Sequence, residues 1–207
     1  MEKAVIHMSP RGSVALQRGR LIFGLDATAS REPTWGLARD IQSKMFRSAA
    51  PVGKLDMQLV YYRGVECRAS QWVSSGDRLT ELMNKISCVA GETQIGRVLK
   101  HTLNEHGKSA VQALTFIGDA LEEAIDPLAG LAGQLGAQGV PLFIFQEGRD
   151  ARVRNAFQTL ASLSNGKYFE FNDSPQAVEQ LSGQLTAVAR LAVDDSTAMA
   201  ALTDQRR

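Results

Sequence analysis

The stretch "RLIFGLDATAS", Arg20 to Ser30, decides how the rest of the chain is read. Leu21, Ile22, Phe23 and Leu25 are apolar on both faces of an extended chain, as in the interior of a parallel sheet. That run ends in a carboxylate, Asp26, followed by hydroxyls at alternate positions, Thr28 and Ser30. Packing requires none of these three oxygens, so the remaining sequence must supply what they face.

Downstream, apolar runs and helical stripes alternate. Pro33 suits a first helical turn, and Trp35, Ala38, Ile41 and Met45 recur at helical spacing. "LDMQLVYYRGVECRASQWV" reads as a hairpin that turns at Arg63-Gly64 and returns from Cys67 to Val73 on a polar edge strand. Two helical stripes come next, on Leu79, Leu82, Met83 and Ile86 and on Ile95, Val98, Leu99, Thr102 and Leu103. "ALTFIGD", Ala113 to Asp119, is a second buried strand ending in a carboxylate. A stripe on Leu128, Leu131, Ala132 and Leu135 stops near Gly136 and Gly139, and "PLFIF" is a third buried strand. The stripe Val153, Phe157, Leu160 and Ala161 stops at Asn165-Gly166. "KYFEF" and a closing stripe, Val178, Leu181, Leu185 and Val188, complete the pattern.

This order predicts an α/β fold, a Rossmann-like doubly wound and mostly parallel sheet with helices on both faces. Its one antiparallel strand is the hairpin's return, at the edge. The domain is expected over residues 19–192, with a flexible arm over 1–18 and a flexible tail over 193–207. In such sheets ligands sit at the carboxyl ends of strands, near the topological switch point. Asp26 and Asp119 each stand at such an end, and Thr93 lies in a loop before the helix that opens at Ile95.

Asp26, Thr28, Ser30, Thr93 and Asp119 therefore form the candidate set: two carboxylates, three hydroxyls, no His and no Cys. Hard oxygen donors of this kind suit Mg²⁺, Mn²⁺ or Ca²⁺ rather than zinc. Taken singly, each hydroxyl or strand-end carboxylate has a plainer reading as a cap: Thr28 and Ser30 for the helix after them, Thr93 before Ile95, and Asp119 for the segment after β-run Ala113 to Gly118.

D-x-T-x-S after the first strand, a loop Thr and a strand-end Asp resemble the metal ion-dependent adhesion site (MIDAS) of von Willebrand factor A (VWA) domains. The resemblance covers about Arg20 to Leu191, and the order of elements agrees. Thr28 stands where the family more often has Ser, and Ala120 where a Gly is frequent. By this resemblance, Thr28, Ser30 and Thr93 supply direct hydroxyl ligands to Mg²⁺ (or Mn²⁺ or Ca²⁺), and Asp26 and Asp119 bind directly or through water. The open metal position then accepts an Asp or Glu carboxylate from a protein partner. Arg31, Glu32 and Glu92 are expected on the rim that selects that partner, with Glu122 and Glu123 adding negative charge nearby.

Composition narrows the alternatives. Lys+Arg 23 against Asp+Glu 22 gives no electrostatic reason to expect nucleic acid or an anionic membrane as partner. No stretch approaches the ~20 apolar residues of a membrane span. The N-terminus lacks the apolar core of a signal peptide, and Cys67 and Cys88 form no motif, so a cytoplasmic protein with reduced thiols is expected. His101 and His106, five apart, do not align as a ligand pair and are expected to be exposed. Trp35 and Trp72 are read as packing residues, and Arg149, Arg152 and Arg154 around Asp150 as a solvated helix start.

Haloacid dehalogenase-like phosphatases place a general-acid Asp two positions after the strand-end Asp. Here that position is Thr28, which cannot do that work near neutral pH. "GLDATAS" has neither a nucleotide-binding glycine pattern nor a P-loop Lys. The expected function is a non-enzymatic, intracellular, metal-dependent protein-interaction domain. A metal-dependent phosphoester hydrolase using the same aspartates and a metal-independent interaction module are the alternatives.

Overall fold

The computed structural model describes residues 18–36, 55–171 and 174–193. A six-stranded sheet forms the centre, built from β1 (Gly19–Asp26), β2 (Leu55–Arg63), β3 (Glu66–Ala69), β4 (Ala113–Gly118), β5 (Leu142–Glu147) and β6 (Tyr168–Phe171). Its order is β3-β2-β1-β4-β5-β6. Among the described strands only the β2–β3 pair is antiparallel. The helices are α1 (Gly76–Asn84), α2 (Ile95–Lys108), α3 (Ile125–Ala137), α4 (Ala151–Leu163) and α5 (Pro175–Leu191), with a short 3-10 turn over Ala29–Thr34.

Alternation along β1 sends its side chains into two cores, because successive residues of a strand point to opposite faces. Leu21, Phe23 and Leu25 join Met57 and Leu59 beneath Leu79 and Met83 of α1 and Leu181, Leu185 and Val188 of α5. On the other face, Ile22, Leu114, Phe116 and Ile144 meet Val98 and Leu99 of α2, Leu128 and Leu135 of α3, and Phe157 of α4. Each such side chain, fully buried, contributes about 1.5–3 kcal/mol. Gly24 makes the second core possible, since a Cβ there would stand 2.9 Å from Val98 Cγ1.

The expected stops are in place: Gly139 (φ 73°) comes after α3 and Asn165 (φ 59°) after α4, both in the left-handed conformation that ends helices. The hairpin's return differs from expectation. Regular pairing ends at Ala69, and Val73 rejoins opposite Met57 one residue out of register. Ser70 absorbs the slip by offering its hydroxyl, in place of a backbone carbonyl, to the Leu59 N–H at 3.0 Å. Cys88 lies beyond the end of α1, and neither cysteine forms a disulfide.

Of the stripe Trp35, Ala38, Ile41 and Met45, only Trp35 falls among the described residues. It is buried and its indole N–H donates to Ile86 O at 3.1 Å. The arm and the tail lie outside the described residues, except that Arg18 ion-pairs with Asp56 at 2.8 Å and Val193 packs on the core. The Val178 side chain lies outside them as well. No described helix is long and apolar enough to cross a membrane.

Candidate functional site

Parallel pairing places Leu25 beside Ile117 and Asp26 beside Tyr62, so β1, β2 and β4 end together. The chain leaves β1 toward the 3-10 turn, and β4 leads into the loop before α3. Asp26 and Asp119 thus emerge side by side at the switch point, close enough for the charge of Asp119 to act on Asp26.

Asp26 is 1% exposed. Its Oδ1 accepts from the Thr28 N–H at 2.8 Å and from the Thr28 hydroxyl at 2.6 Å, and its Oδ2 accepts from the Tyr62 hydroxyl at 2.9 Å. Thr28 Oγ1 is in turn 3.1 Å from Ser30 Oγ. Burial raises the Asp26 carboxyl above the ordinary Asp range, and Asp119 adds to this, while the bonds from Thr28 and Tyr62 pull the other way. Among the described residues no Lys, Arg or His forms an ion pair with Asp26 or Asp119.

Asp119 is half-buried, and its Oδ1 is a buried oxygen with no hydrogen-bond partner. Such an atom carries a desolvation penalty of roughly 1–3 kcal/mol or more for a charged group. Thr93 is buried on the segment that leads into α2. Its N–H donates to Glu122 Oε2 at 2.8 Å and its Oγ1 accepts from the Glu122 N–H at 2.9 Å. Glu123 accepts at the start of α2, from the Ile95 N–H at 2.5 Å and the Gly96 N–H at 2.9 Å. The two glutamates therefore brace the Thr93 loop against the Asp119 loop. The negative charge expected near the site from Glu122 and Glu123 is thus engaged by backbone amides.

The structure bears on three of the cap readings. No side chain caps the 3-10 turn from its Thr28 N-cap, and Gln94, not Thr93, is the α2 N-cap residue. The amides at the α2 N-terminus are met by Glu123 from the neighbouring loop, and Asp119 Oδ1 caps nothing.

The rim needs one correction. Arg31 is 1% exposed, and its guanidinium ion-pairs with Glu147 at the end of β5 at 3.1 Å. It ties the first loop to the far side of the crevice and cannot select a partner from solvent. Glu32 and Glu92 are exposed. The histidines also depart from expectation. Both are half-buried, with His101 Nε2 2.8 Å from Gln58 Oε1 and the Val111 N–H donating to His106 Nδ1 at 3.1 Å. Trp72 stacks beneath Arg20, and Asp150 caps α4 through the Arg152 and Val153 amides.

Tyr62 is the site residue that sequence reading missed. The period-2 pattern of β2 gave Leu55, Met57, Leu59 and Tyr61 to one face, and Tyr62 then faces the other. Only the register with β1 brings it to Asp26.

Two carboxylates without a cation, one orphaned buried oxygen and linked hydroxyls fit a hard divalent ion, which would satisfy that oxygen and offset the repulsion. Among the described residues no three His, Cys, Asp or Glu side chains form a metal-binding group, so a cation here would rely on the hydroxyls.

No protein-family model and no curated protein matches the chain in sequence. Solved structures do match in fold. BatB from Bacteroides thetaiotaomicron is 16% identical over 83% of this chain and 99% of that one, with a TM-score of 0.66. The SpRpn10 VWA domain is 14% identical over 81% and 95%, also at 0.66. Proximal thread matrix protein 1 of the mussel byssus, with a zinc-occupied MIDAS motif, is 16% identical over 86% and 46%, at 0.64. With the sheet order and the single antiparallel edge, these likenesses give the chain the fold of a von Willebrand factor A domain.

Proposed function

We propose that this chain is a non-enzymatic protein-interaction domain that holds Mg²⁺ (or Mn²⁺ or Ca²⁺) at the carboxyl edge of its sheet. Asp26, Thr28, Ser30, Thr93 and Asp119 would hold the ion. When bound, the cation supplies an electrophilic position that takes an Asp or Glu carboxylate from a protein partner. The observation that carries the reading is the buried, unpartnered Oδ1 of Asp119 beside a second carboxylate with no cationic partner among the described residues. The fold supports it too, since one neighbour of the same fold has a zinc-occupied MIDAS motif.

The protein's own residues have separable tasks in this proposal. Tyr62 and the Thr28 amide hold the Asp26 carboxylate still, and Asp26 holds the Thr28 hydroxyl so that its lone pairs remain available. Such outer bonds orient ligands and raise their basicity. Glu122 fixes the Thr93 loop. Two cysteines with no disulfide between them suit the reducing cytoplasm, where we place the protein. Partner capture from the native lysate in Mg²⁺, in chelator, and with Asp119→Ala or Thr93→Ala in Mg²⁺ tests the reading. Capture should be lost in chelator and in both variants, with circular dichroism unchanged. Capture that survives all three removes the metal from the mechanism.

A further inference from the structure

Three large hydrophobic side chains are exposed among the described residues: Val65, Val89 and Leu163. Leu163 ends α4, away from the candidate site. Val65 follows Gly64, which Val89 touches, and both valines lie on loops beside that site.

Val65, 90% exposed, is the second residue of the two-residue turn between β2 and β3, after Gly64 at φ 51°. Turns of this kind favour small polar residues at that position, so neither the turn nor the core accounts for a Val. Val89, 44% exposed, lies on the segment that runs from α1 to Thr93. The Gly64 N–H donates to Val89 O at 3.3 Å, and a Cβ on Gly64 would stand 3.5 Å from Val89 Cγ1. Gly91 approaches so closely that a Cβ there would be 2.4 Å from Gly64 O.

This pair is fixed to the candidate site. The Val89 N–H donates to Ala27 O, between Asp26 and Thr28, at 3.1 Å. The side chain of Gln94, next to Thr93, donates to Gly64 O at 2.9 Å. Arg97 donates to Val65 O at 2.9 Å and is itself exposed. The result is a small apolar shelf, locked by backbone contacts and adjoining both loops that carry the hydroxyls. A shelf ordered before binding loses little entropy on contact.

We propose that Val65 and Val89 are the second contact point for the partner of the Asp26–Asp119 site. Resting on the reading above, this specifies the partner as a segment in which a carboxylate and an aliphatic side chain stand a few residues apart. The carboxylate reaches the metal position and the aliphatic group covers the shelf. Arg97 beside Val65 favours a further acceptor or negative charge at the aliphatic end of the segment.

Synthetic ten-residue peptides test this. Each carries one Asp in a Ser/Gly context, with Leu two to five residues away on either side, or Ser at the same position as a match. They are titrated in Mg²⁺ into isotope-labelled full chain, as wild type and as Val65→Ser and Val89→Ser, followed by amide chemical shifts. At least one Leu peptide should bind about tenfold more tightly than its Ser match, with shifts at Val65 and Val89. Both variants should lose that advantage yet keep the wild-type thermal response to Mg²⁺. Equal binding of Leu and Ser peptides, no Leu-dependent binding at millimolar peptide, or Leu-dependent shifts elsewhere on the surface overturns the shelf. A Leu advantage at Val65 and Val89 that is undiminished in chelator keeps the shelf and removes the metal.

Discussion

Buried carboxylates stand near both ends of β1, and they are treated in opposite ways. Near the amino end, Glu105 of α2 meets the Arg20 guanidinium at 3.0 Å, the Trp72 indole N–H at 2.8 Å and Lys108 Nζ at 2.7 Å. Burial alone would push its carboxyl up, but the hydrogen bonds from Lys108 and Trp72 and the charges of Lys108 and His101 outweigh it and hold it at about 2. At the carboxyl end, Asp26 has only neutral donors, Asp119 has a bare buried oxygen, and each carboxylate repels the other. The first cluster is electrostatically complete and pins α2 and the β3 side of the hairpin to β1. Among the described residues, the second has no ion-pairing Lys, Arg or His where the fold opens to ligands. Both are clusters of polar side chains at strand ends, and only the balance of charge separates a brace from a site.

Breaking the complete cluster should have the largest effect. Glu105→Ala leaves the Arg20 charge and the Trp72 N–H buried without their acceptor, and should lose about 3–5 kcal/mol of stability in urea denaturation. A loss below about 1 kcal/mol would erase the distinction between the two ends.

The pH dependence sharpens it. Because the folded pKa of Glu105 is depressed from 4.5 to about 2, its contribution is present above pH 4.5 and lost as pH falls toward 2. Asp26 has the opposite sign, since its folded pKa is raised above 3.8. Its favourable contribution is full below pH 3.8 and is lost as pH rises through the folded value. In metal-free protein, Glu105→Gln should therefore flatten the acid limb of the stability profile, and Asp26→Asn should steepen it.

A smaller effect is expected at Tyr62. Tyr62→Phe removes only the hydroxyl that orients Asp26, and should weaken Mn²⁺ binding by about tenfold. The metal-free protein should lose only about 1 kcal/mol. Unchanged Mn²⁺ affinity would make Tyr62 a packing residue.

The smallest expected change is also the most diagnostic in sign. Asp119→Asn relieves the repulsion at the open end and should raise metal-free stability by about 0.5–1 kcal/mol, as functional residues often do when replaced. A loss of 2 kcal/mol or more would mean that Asp119 is a structural partner.

Strands ending in carboxylates, helix stripes and the antiparallel edge were legible because each is a local pattern of period 2 or 3.6. The nearness of Asp119 to Asp26 and its two hydroxyl neighbours was legible because both aspartates close strands, where topology brings chain ends together. Arg31 was misread for a physical reason: its partner Glu147 ends β5, more than a hundred residues away, and nothing near Arg31 in sequence signals burial. Tyr62 and the Glu122 and Glu123 braces likewise depend on the register between β1, β2 and β4 and on loop contacts. The slip at Ser70 is invisible in a sequence where Cys67 to Val73 reads as one strand.

Among the described residues, positive charge is missing at the carboxyl end of β1 and complete at the amino end. Calorimetric titration of Mn²⁺ into the metal-free full chain tests this most directly, comparing wild type, Asp119→Asn and Glu105→Gln at a temperature where all three are folded. One bound ion is expected in wild type and in Glu105→Gln, and none in Asp119→Asn. Absence of binding to wild type, or binding that persists in Asp119→Asn, would contradict it.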